Sequence, residues 1–323
     1  MLARLQAPAD TPVALETGTQ CAWVHRVMQA QGMAPVVVEA GEVRAKARRR
    51  AQKNDERDAF ELCDGLRRGI FARIVWIPGL SISRLRELLR RRAHFVRLST
   101  SQINAAKFLL RTRGLPTARV ELRSARGWRA LAASEALDPE ARLCVTLHEQ
   151  VWLLARSIIE QLEALLKEAL KPFAEEIELL QTVPGVGPIT AAAFIAAVGD
   201  PSRFATSGHV ASYLGLVPSS HSSGDSERGG RITKEGNGAL RALLCECAHQ
   251  ARRTAHPLNP YHRKLSAQKG SMRATVAVAH RLARILYQVW KKREPFDEAK
   301  LGVVRETRVT RRTTHYQLAA ASA

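Results

Sequence analysis

Residues 13–38 read VALETGTQCAWVHRVMQAQGMAPVVV, and this stretch decides the fold class of the first part of the chain. Val13 to Leu15 is a short apolar run that reads as a strand ending at Glu16. Residues 20–31 place Trp23, Val27 and Met28 at helical spacing, and Gly32 closes that helix. Val36-Val37-Val38 is a compact β-branched run of the kind found in buried parallel strands. Strand, helix and strand within about thirty residues make a βαβ unit.

Outward from this unit, a basic stretch carries Arg44, Lys46, Arg48, Arg49, Arg50 and Lys53. A helix is expected from about Asp55 to Arg68, closed by Gly69, followed by a short strand over Arg73–Ile77. Asp55 and Asp58 stand at i and i+3, so their carboxylates project from one helix face. Acids there also suit the positive end of the helix dipole, which is a sufficient structural reason for them. Glu16 ends a strand that neighbours this helix in a βαβ layout. Three carboxylates converging at strand ends would suit Mg²⁺, which takes a few carboxylates together with phosphate oxygens.

The 323 residues hold 50 Lys and Arg against 30 Asp and Glu, a net charge of +20. So large a surplus points to a polyanionic partner, because Lys and Arg bound to phosphates release condensed counterions. With no uninterrupted apolar span long enough for a bilayer and no secretory signal pattern, nucleic acid is preferred to a membrane surface, and a cytoplasmic, nucleoid-associated location is expected. Hydrophobic residues make up 46%, enough for packed cores, while aromatics at 5% and abundant Ala, Leu and Arg favour helices. Cys21, Cys63, Cys144, Cys245 and Cys247 form no zinc-type pairing, and their odd number argues against a disulfide framework.

From Ser81 to Leu110 the pattern is a long Arg-rich helix, broken at Gly114-Leu115-Pro116; residues 117–135 carry no clear assignment. Either Ser134 with Glu135 or Asp138-Pro139 starts the next long helix. Its apolar positions Leu147, Val151, Leu154, Ile158, Leu162, Leu165 and Leu166 recur at three- and four-residue spacing, a coiled-coil-like seam. The seam fits pairing within the chain or with another subunit.

Near Leu179 a third block begins. Pro184-Gly185-Val186-Gly187, followed by an Ala-rich helix from Ile189 to Val198, has the form of a helix-hairpin-helix. Gly185 and Gly187 permit a tight turn, and the next helix start offers N–H groups to a phosphate. Residues 218–241 read PSSHSSGDSERGGRITKEGNGALR. Ser222-Ser223-Gly224 lies in what reads as a flexible loop, with Arg228, Arg231, Lys234 and Arg241 close behind. A serine nucleophile needs charge stabilised on the phosphate it attacks, which clustered cations provide. A Ser-Gly linker is the plain alternative, and His221 has no evident third partner for a Ser–His arrangement. Asn237 reads as the cap of a helix over about 237–253, and another covers 272–291.

Taken in order, several of these pieces resemble the bridge-RNA-guided insertion-sequence transposases. They are Leu15-Glu16-Thr17-Gly18, Lys53-Asn54-Asp55-Glu56-Arg57-Asp58-Ala59, Val183-Pro184-Gly185-Val186-Gly187, Gly215-Leu216-Val217-Pro218, Ser223-Gly224, and Gly230 through Asn237, with Pro295-Phe296 near the end. The resemblance implies a mixed α/β but mostly helical protein. Residues 1–80 would be a partial RuvC-like (RNase H-like) DEDD domain, 81–178 a helical coiled-coil region, and 179–296 an α-helical transposase domain with the helix-hairpin-helix; 297–323 would be a basic and Ala-rich tail. It implies Glu16, Asp55 and Asp58 as catalytic Mg²⁺ ligands and Ser223 as the nucleophile, with Ser222 the nearest alternative. Gly185, Gly187, Arg228, Arg231, Lys234, Arg241, Arg48, Arg49 and Arg50 are the expected nucleic-acid contacts. DNA, a structured guide RNA and further copies of the chain are the implied partners. The family's first Asp lies on a strand well upstream of its Glu, and only fifteen residues precede Glu16. The expectation is therefore a truncated transposase, either an Mg²⁺-dependent recombinase or an inactive remnant that keeps nucleic-acid binding. A stand-alone junction resolvase would account for the acids but not for the Ser223 block.

Overall fold

The computed structural model describes residues 8–46, 54–117, 121–223 and 226–301. The chain divides into two compact units, Met1–Ser81 and Ile82–Ala323, and it is mostly helical with four short strands among the described residues.

In the first unit, β1 (Pro12–Glu16) and β2 (Ala34–Val38) pair in parallel, with Leu15 opposite Val37 and Glu16 opposite Val38. The connecting helix α1 (Cys21–Ala30) ends where Gly32 takes a φ of +79°. That reproduces the βαβ unit, but α1 buries only Met28, and Trp23 is 56% exposed. The strand expected over Arg73–Ile77 is reduced to a single antiparallel bridge between Val38 and Ile74, supported by Val75 donating to the Val37 carbonyl. The short helix α2 (Ala40–Lys46) and α3 (Asp55–Arg67) complete the unit. Asn54 caps α3 by accepting from the Glu56 N–H at 3.1 Å, and three acids occupy the first turn, as the helix dipole favours.

The second unit begins with two long helices, α4 (Leu80–Thr112) and α6 (Pro139–Leu170), joined through α5 (Ala125–Ala132). Asp138 resolves the start of α6: it accepts from the Ala141 N–H at 2.7 Å and pairs with Arg113 at 2.7 Å. His148 meets Gln102 at 2.8 Å and Arg92 meets Glu163 at 2.7 Å, so α4 and α6 run antiparallel within one chain. Trp128 of α5, absent from the sequence assignment, fills the end of this pair against Trp152 with ring centroids 6.0 Å apart.

The expected seam of α6 is corrected. The buried row is Ala141, Val145, Trp152, Ala155, Ile159, Leu162 and Leu166. Leu147, Val151, Leu154 and Leu165 are 38–63% exposed, Ile158 is half-buried, and only Leu162 and Leu166 of the expected row are buried. Two apolar rows share this helix. The first part of the buried row, Ala141, Val145 and Trp152, shares one core cluster with Ala106 and Leu110 of α4 and with Trp128 and Leu131 of α5, where the indoles fill the space.

After α6, a short 3-10 turn leads to α7 (Ala174–Gln181), α8 (Pro188–Val198) and α9 (Ser207–Tyr213). Strands β3 (Pro218–Ser223) and β4 (Ser226–Ile232) form an antiparallel hairpin, followed by α10 (Gly238–Gln250), α11 (Asn259–Lys269) and α12 (Ser271–Lys292). Residues 218–223 and 226–232 are thus paired strands, so Ser222 and Ser223, expected in a flexible loop with Gly224, end a strand instead, and this block is not purely helical. α11 also lay outside the expected helices; its apolar periodicity is weak, and Asn259 holds its start by donating to the Ala251 and Arg252 carbonyls. The core is built on α8, buried from Thr190 to Val198, and on the inner face of α12, which packs against α7, α9, α10 and α11. A helix apolar all round has to be enclosed by others.

Candidate active site and nucleic-acid interface

Two turns in the second unit carry the expected DNA-processing residues. The first joins α7 to α8. Val183 and Val186 are buried and anchor it, while Gly185 adopts a φ of +82°. A Cβ on Gly185 would meet the Cys247 carbonyl of α10 at 3.3 Å, so this glycine is required by conformation and by a close neighbour. Around Gly187 a Cβ would meet open space, and this residue caps α8 ahead of Pro188. His256 locks the turn from the α10–α11 loop. Its Nδ1 accepts from the Leu258 N–H at 3.0 Å, which leaves Nε2 to donate to the Pro184 carbonyl at 3.3 Å. Burial holds the His256 pKa below its ordinary value, consistent with a neutral ring. On the α8 side, Cys247 Sγ lies 3.5 Å from Thr190 Oγ1, and burial pushes its thiol pKa up. It is a packed thiol and not a poised nucleophile.

At the opposite end of α8 the free carbonyls are taken by two arginines. Arg86 of α4 donates Nε to Ala196 at 2.6 Å and Nη2 to Ala197 at 3.1 Å, and Arg203 donates to Val198. Cations at a helix C-terminus satisfy orphan carbonyls and the dipole together. Arg86 therefore does structural work inside a helix whose other arginines read identically in sequence.

The second turn is the β3–β4 hairpin. Ser223 is the last residue of β3, paired with Ser226 at the tip, with Ser222 opposite Glu227 and His221 opposite Arg228. The hairpin is rooted in a clamp. Thr233 donates to the Val217 carbonyl at 3.0 Å and Lys234 to the Gly215 carbonyl at 3.3 Å. Gly215 (φ +66°) and Gly236 (φ +76°) allow the two segments to cross: a Cβ on either would lie about 2.1–2.2 Å from the backbone oxygen of Glu235 or Tyr213. Lys234 itself takes a left-handed φ of +58°. Arg241 closes the clamp, its Nη1 donating to Leu214 at 3.0 Å and Glu235 at 2.6 Å, while Asn237 caps α10 through Leu240 N–H at 3.1 Å. Arg228 and Arg231 have their backbones in β4.

In the first unit, α3 packs beside β1, so Glu16, Asp55 and Asp58 belong to neighbouring elements. Glu16 and Asp55 are exposed and Asp58 is half-buried. Among the described residues, no group of three or more His, Cys, Asp or Glu side chains is disposed to hold a metal ion. As their side chains stand, Glu16, Asp55 and Asp58 form no such group. Arg48, Arg49 and Arg50 lie outside the described residues. Sequence reasoning overlooked Glu42, a buried carboxylate that accepts from Ala72 N–H at 2.9 Å and Arg73 N–H at 2.6 Å and pairs with Lys46 at 2.9 Å. Those contacts, the Lys46 hydrogen bond first, hold its pKa down at about 2. Nothing in a local window distinguishes this acid from a surface one.

The hairpin, its clamp and the α7–α8 turn fall within residues 177–264, which match the model of the transposase IS116/IS110/IS902 family. The transposase for insertion sequence element IS1111A of Coxiella burnetii is 31% identical over 260 residues, 76% of this chain and 69% of that protein. The chain belongs to this insertion-sequence transposase family. Other relatives align over shorter stretches. The transposase for insertion sequence element IS1328 of Yersinia enterocolitica is 33% identical over 156 residues, covering 46% of this chain and 45% of its own length. A pilin gene-inverting protein of Moraxella bovis is 34% identical over 123 residues, 37% of this chain and 38% of its own. No helix among the described residues is long and apolar enough to cross a membrane.

Proposed function

We propose that this family member acts on DNA as a transposase, with Ser223 as the nucleophile and the clamped β-hairpin as the device that presents it. The observation that carries this reading is the root of that hairpin. Gly215, Gly236, Asn237 and Arg241 fix the strands at one end and leave Ser223 at the other, within the family-matched segment of a chain carrying +20 charge. In the proposed step a bond forms between Ser223 Oγ and a DNA phosphorus as the bond from that phosphorus to a sugar oxygen breaks. The serine gives up its proton and the departing oxygen takes one, so none is consumed overall. Arg228, opposite His221 and two residues from the tip, is the cation of this set whose backbone stands nearest Ser223 and would supply positive charge for the phosphate under attack, whereas Arg231 and Lys234 stand towards the root and would meet DNA further along the strand.

The finer parts of the proposal are a RuvC-like first unit, a helix-hairpin-helix at Gly185 and Gly187 that approaches a phosphate, Mg²⁺ dependence, guidance by a structured RNA, and self-association. The parallel β1–α1–β2 arrangement supports the first, and the φ of Gly185 the second. Mg²⁺ would depend on DNA phosphates and water for most of its ligands, since Glu16, Asp55 and Asp58 offer no closed set. Sequencing of RNA that co-purifies with the expressed chain tests guidance. The exposed apolar row of α6, from Leu147 to Leu165, supports pairing with a second copy.

A second reading, a chain that binds nucleic acid without cutting it, is favoured by the lack of a three-carboxylate group among the described residues. A denaturing gel with labelled element-end DNA, co-purified RNA and Mg²⁺ separates the two. The nucleophile assignment expects a protein–DNA adduct that disappears in Ser223→Ala while the fold remains, and an adduct persisting in that variant sinks it, with Ser222 next in line. No adduct, but salt-dependent binding, establishes the second reading.

A further inference from the structure

A cleft of about 510 Å³ opens in the second unit between the outer face of α12, Tyr261 of α11, Ser207 of α9 and the returning segment Glu294–Leu301. This is within the size range of ligand sites. Its outer α12 side follows helical spacing through Arg281, Arg284, Ile285, Gln288 and Lys292, so these residues share one face. None lies in the sequence blocks that point to DNA cleavage, and those beyond residue 264 lie outside the family-matched segment.

The charges in the cleft are unequal in what they leave unmet. Both of its carboxylates are engaged: Glu294 pairs with Lys300 at 2.6 Å, and Asp297 accepts from the Ala299 N–H at 2.9 Å. Arg281 lies 4.8 Å from the centre of the Tyr261 ring and donates to the Leu301 carbonyl. Arg284 uses Nε on Ser207 Oγ at 3.2 Å, and among the described residues neither its terminal nitrogens nor Lys292 makes a direct ion pair, although Lys292 lies close enough to Glu294 to help Lys300 hold that carboxyl's pKa down. These two cations stand eight residues apart on the helix, about 12 Å along its axis. Between and beneath them the floor is apolar, formed by Ile285, Val289 and Phe296.

Cations spaced along a groove with an apolar and aromatic floor are the chemistry of single-stranded polynucleotide binding. A duplex turns its base faces inward and would leave that floor unused. A small anion would leave it unused as well. We propose that this cleft binds a single-stranded segment of nucleic acid, with phosphates on Arg284 and Lys292 and a base against Ile285, Val289 and Phe296. The proposal rests on the nucleic-acid reading above and adds a second, strand-selective site to it.

The test is fluorescence anisotropy of the full chain with labelled oligo(dT), labelled oligo(U) and a labelled random-sequence duplex, across a salt series. The double variant Arg284→Gln/Lys292→Gln changes only exposed side chains, and circular dichroism checks its fold. It is expected to weaken single-strand binding about tenfold while duplex affinity changes less than about twofold. The salt slope for single strands should drop by about one to two. Phe296→Ala should weaken single-strand binding without altering that slope, because it removes stacking and not charge. Loss with oligo(dT) alone assigns DNA, loss with oligo(U) alone assigns RNA, and loss with both assigns the shared backbone-and-base chemistry. A folded double variant that binds single strands as the parent does overturns the site, and so does equal loss for duplex and single strand. A parent chain that binds the duplex but no single strand overturns the site and spares the transposase reading. A parent that binds none of the probes at low salt removes both.

Discussion

In residues 1–81 the buried hydrophobic side chains among the described residues are Met28, Met33, Val37, Val38 and Val43, whereas α8 alone encloses every residue from Thr190 to Val198. The first unit compensates with polar ties. Glu42 joins α2 to the segment at Ala72 and Arg73, and Thr17 Oγ1 accepts from the Ala40 N–H at 3.0 Å. The second unit uses arginines in an equivalent way, but at the ends of an already enclosed helix. The contrast shows that one chain stabilises a small α/β piece by directed hydrogen bonds and a helical cluster by packing. The two should therefore respond differently to mutation and to acid.

The largest effect should come from the packed unit. Phe194 is fully buried and lies 6.1 Å from Trp290, ring centre to ring centre. Phe194→Ala should cost about 3–5 kcal/mol, read from the urea midpoint. A loss below about 1 kcal/mol would mean that the α8 core is not the packed centre described.

Next is the clamp beneath the hairpin. Gly215→Ala places a Cβ against the Glu235 backbone at a left-handed φ, so about 1–3 kcal/mol of conformational strain adds to a displaced strand root. Amide exchange should accelerate across residues 217–233 more than in α12. Uniform acceleration would show that the clamp does not act locally.

Acid should sharpen the comparison further. Burial holds His256, His262 and His280 of the second unit, and His25 of the first, below their ordinary value of 6.5. The fold favours the neutral rings, so their contribution is complete above about pH 6.5 and is lost as pH falls through the lowered folded values. Glu42 differs: its contribution is complete above its ordinary 4.5 and is lost only as pH falls towards about 2. Thermal melts should thus weaken between pH 7 and 5, with His256→Gln blunting that dependence and Glu42→Gln leaving it in place while lowering the first unit's transition. The opposite pattern would reverse the assignment of these ties.

The smallest effect on stability belongs to the exposed row of α6. Leu154→Glu should alter folding by no more than about 0.5 kcal/mol, since Leu154 is 63% exposed. The same variant should reduce self-association in light scattering if that row pairs with a second copy. A large loss of stability would instead mean that the row is part of the fold.

Legibility in sequence followed the range of the interactions. β1, α1 and β2 were readable because short apolar runs, helical spacing and Gly32 are local signals. Asn237 was readable as a helix cap, and Asp138 as one of two candidate starts, because a cap bonds two or three residues away. α5 was not, since Trp128 finds its role only against Trp152 in another helix. On α6, two apolar rows met the same periodic test, and which one turned inward depended on the shapes of α4 and α5. The serine-rich segment lacks the hydrophobic alternation that marks strands, so its pairing depends on partner strand and root. Among the candidate site residues, the pieces around Gly185 and Ser223 were legible as motifs. The structural duties of Arg241 and His256 were not, because their partners lie up to 72 residues away.

By itself, then, the sequence determined the helical character, the order of the blocks, the positions of caps and tight turns, and a charge balance that calls for a polyanion. These follow from backbone preference, from bonds spanning a few residues and from summed charge, none of which requires the rest of the chain to be in place. Tertiary structure alone decided which row of α6 was buried, which arginines close α8, and how Gly215 and Gly236 let two segments cross beneath Ser223. Each of those depends on how close two distant segments approach, and that distance is set by packed side-chain volume and hydrogen-bond geometry, not by local pattern.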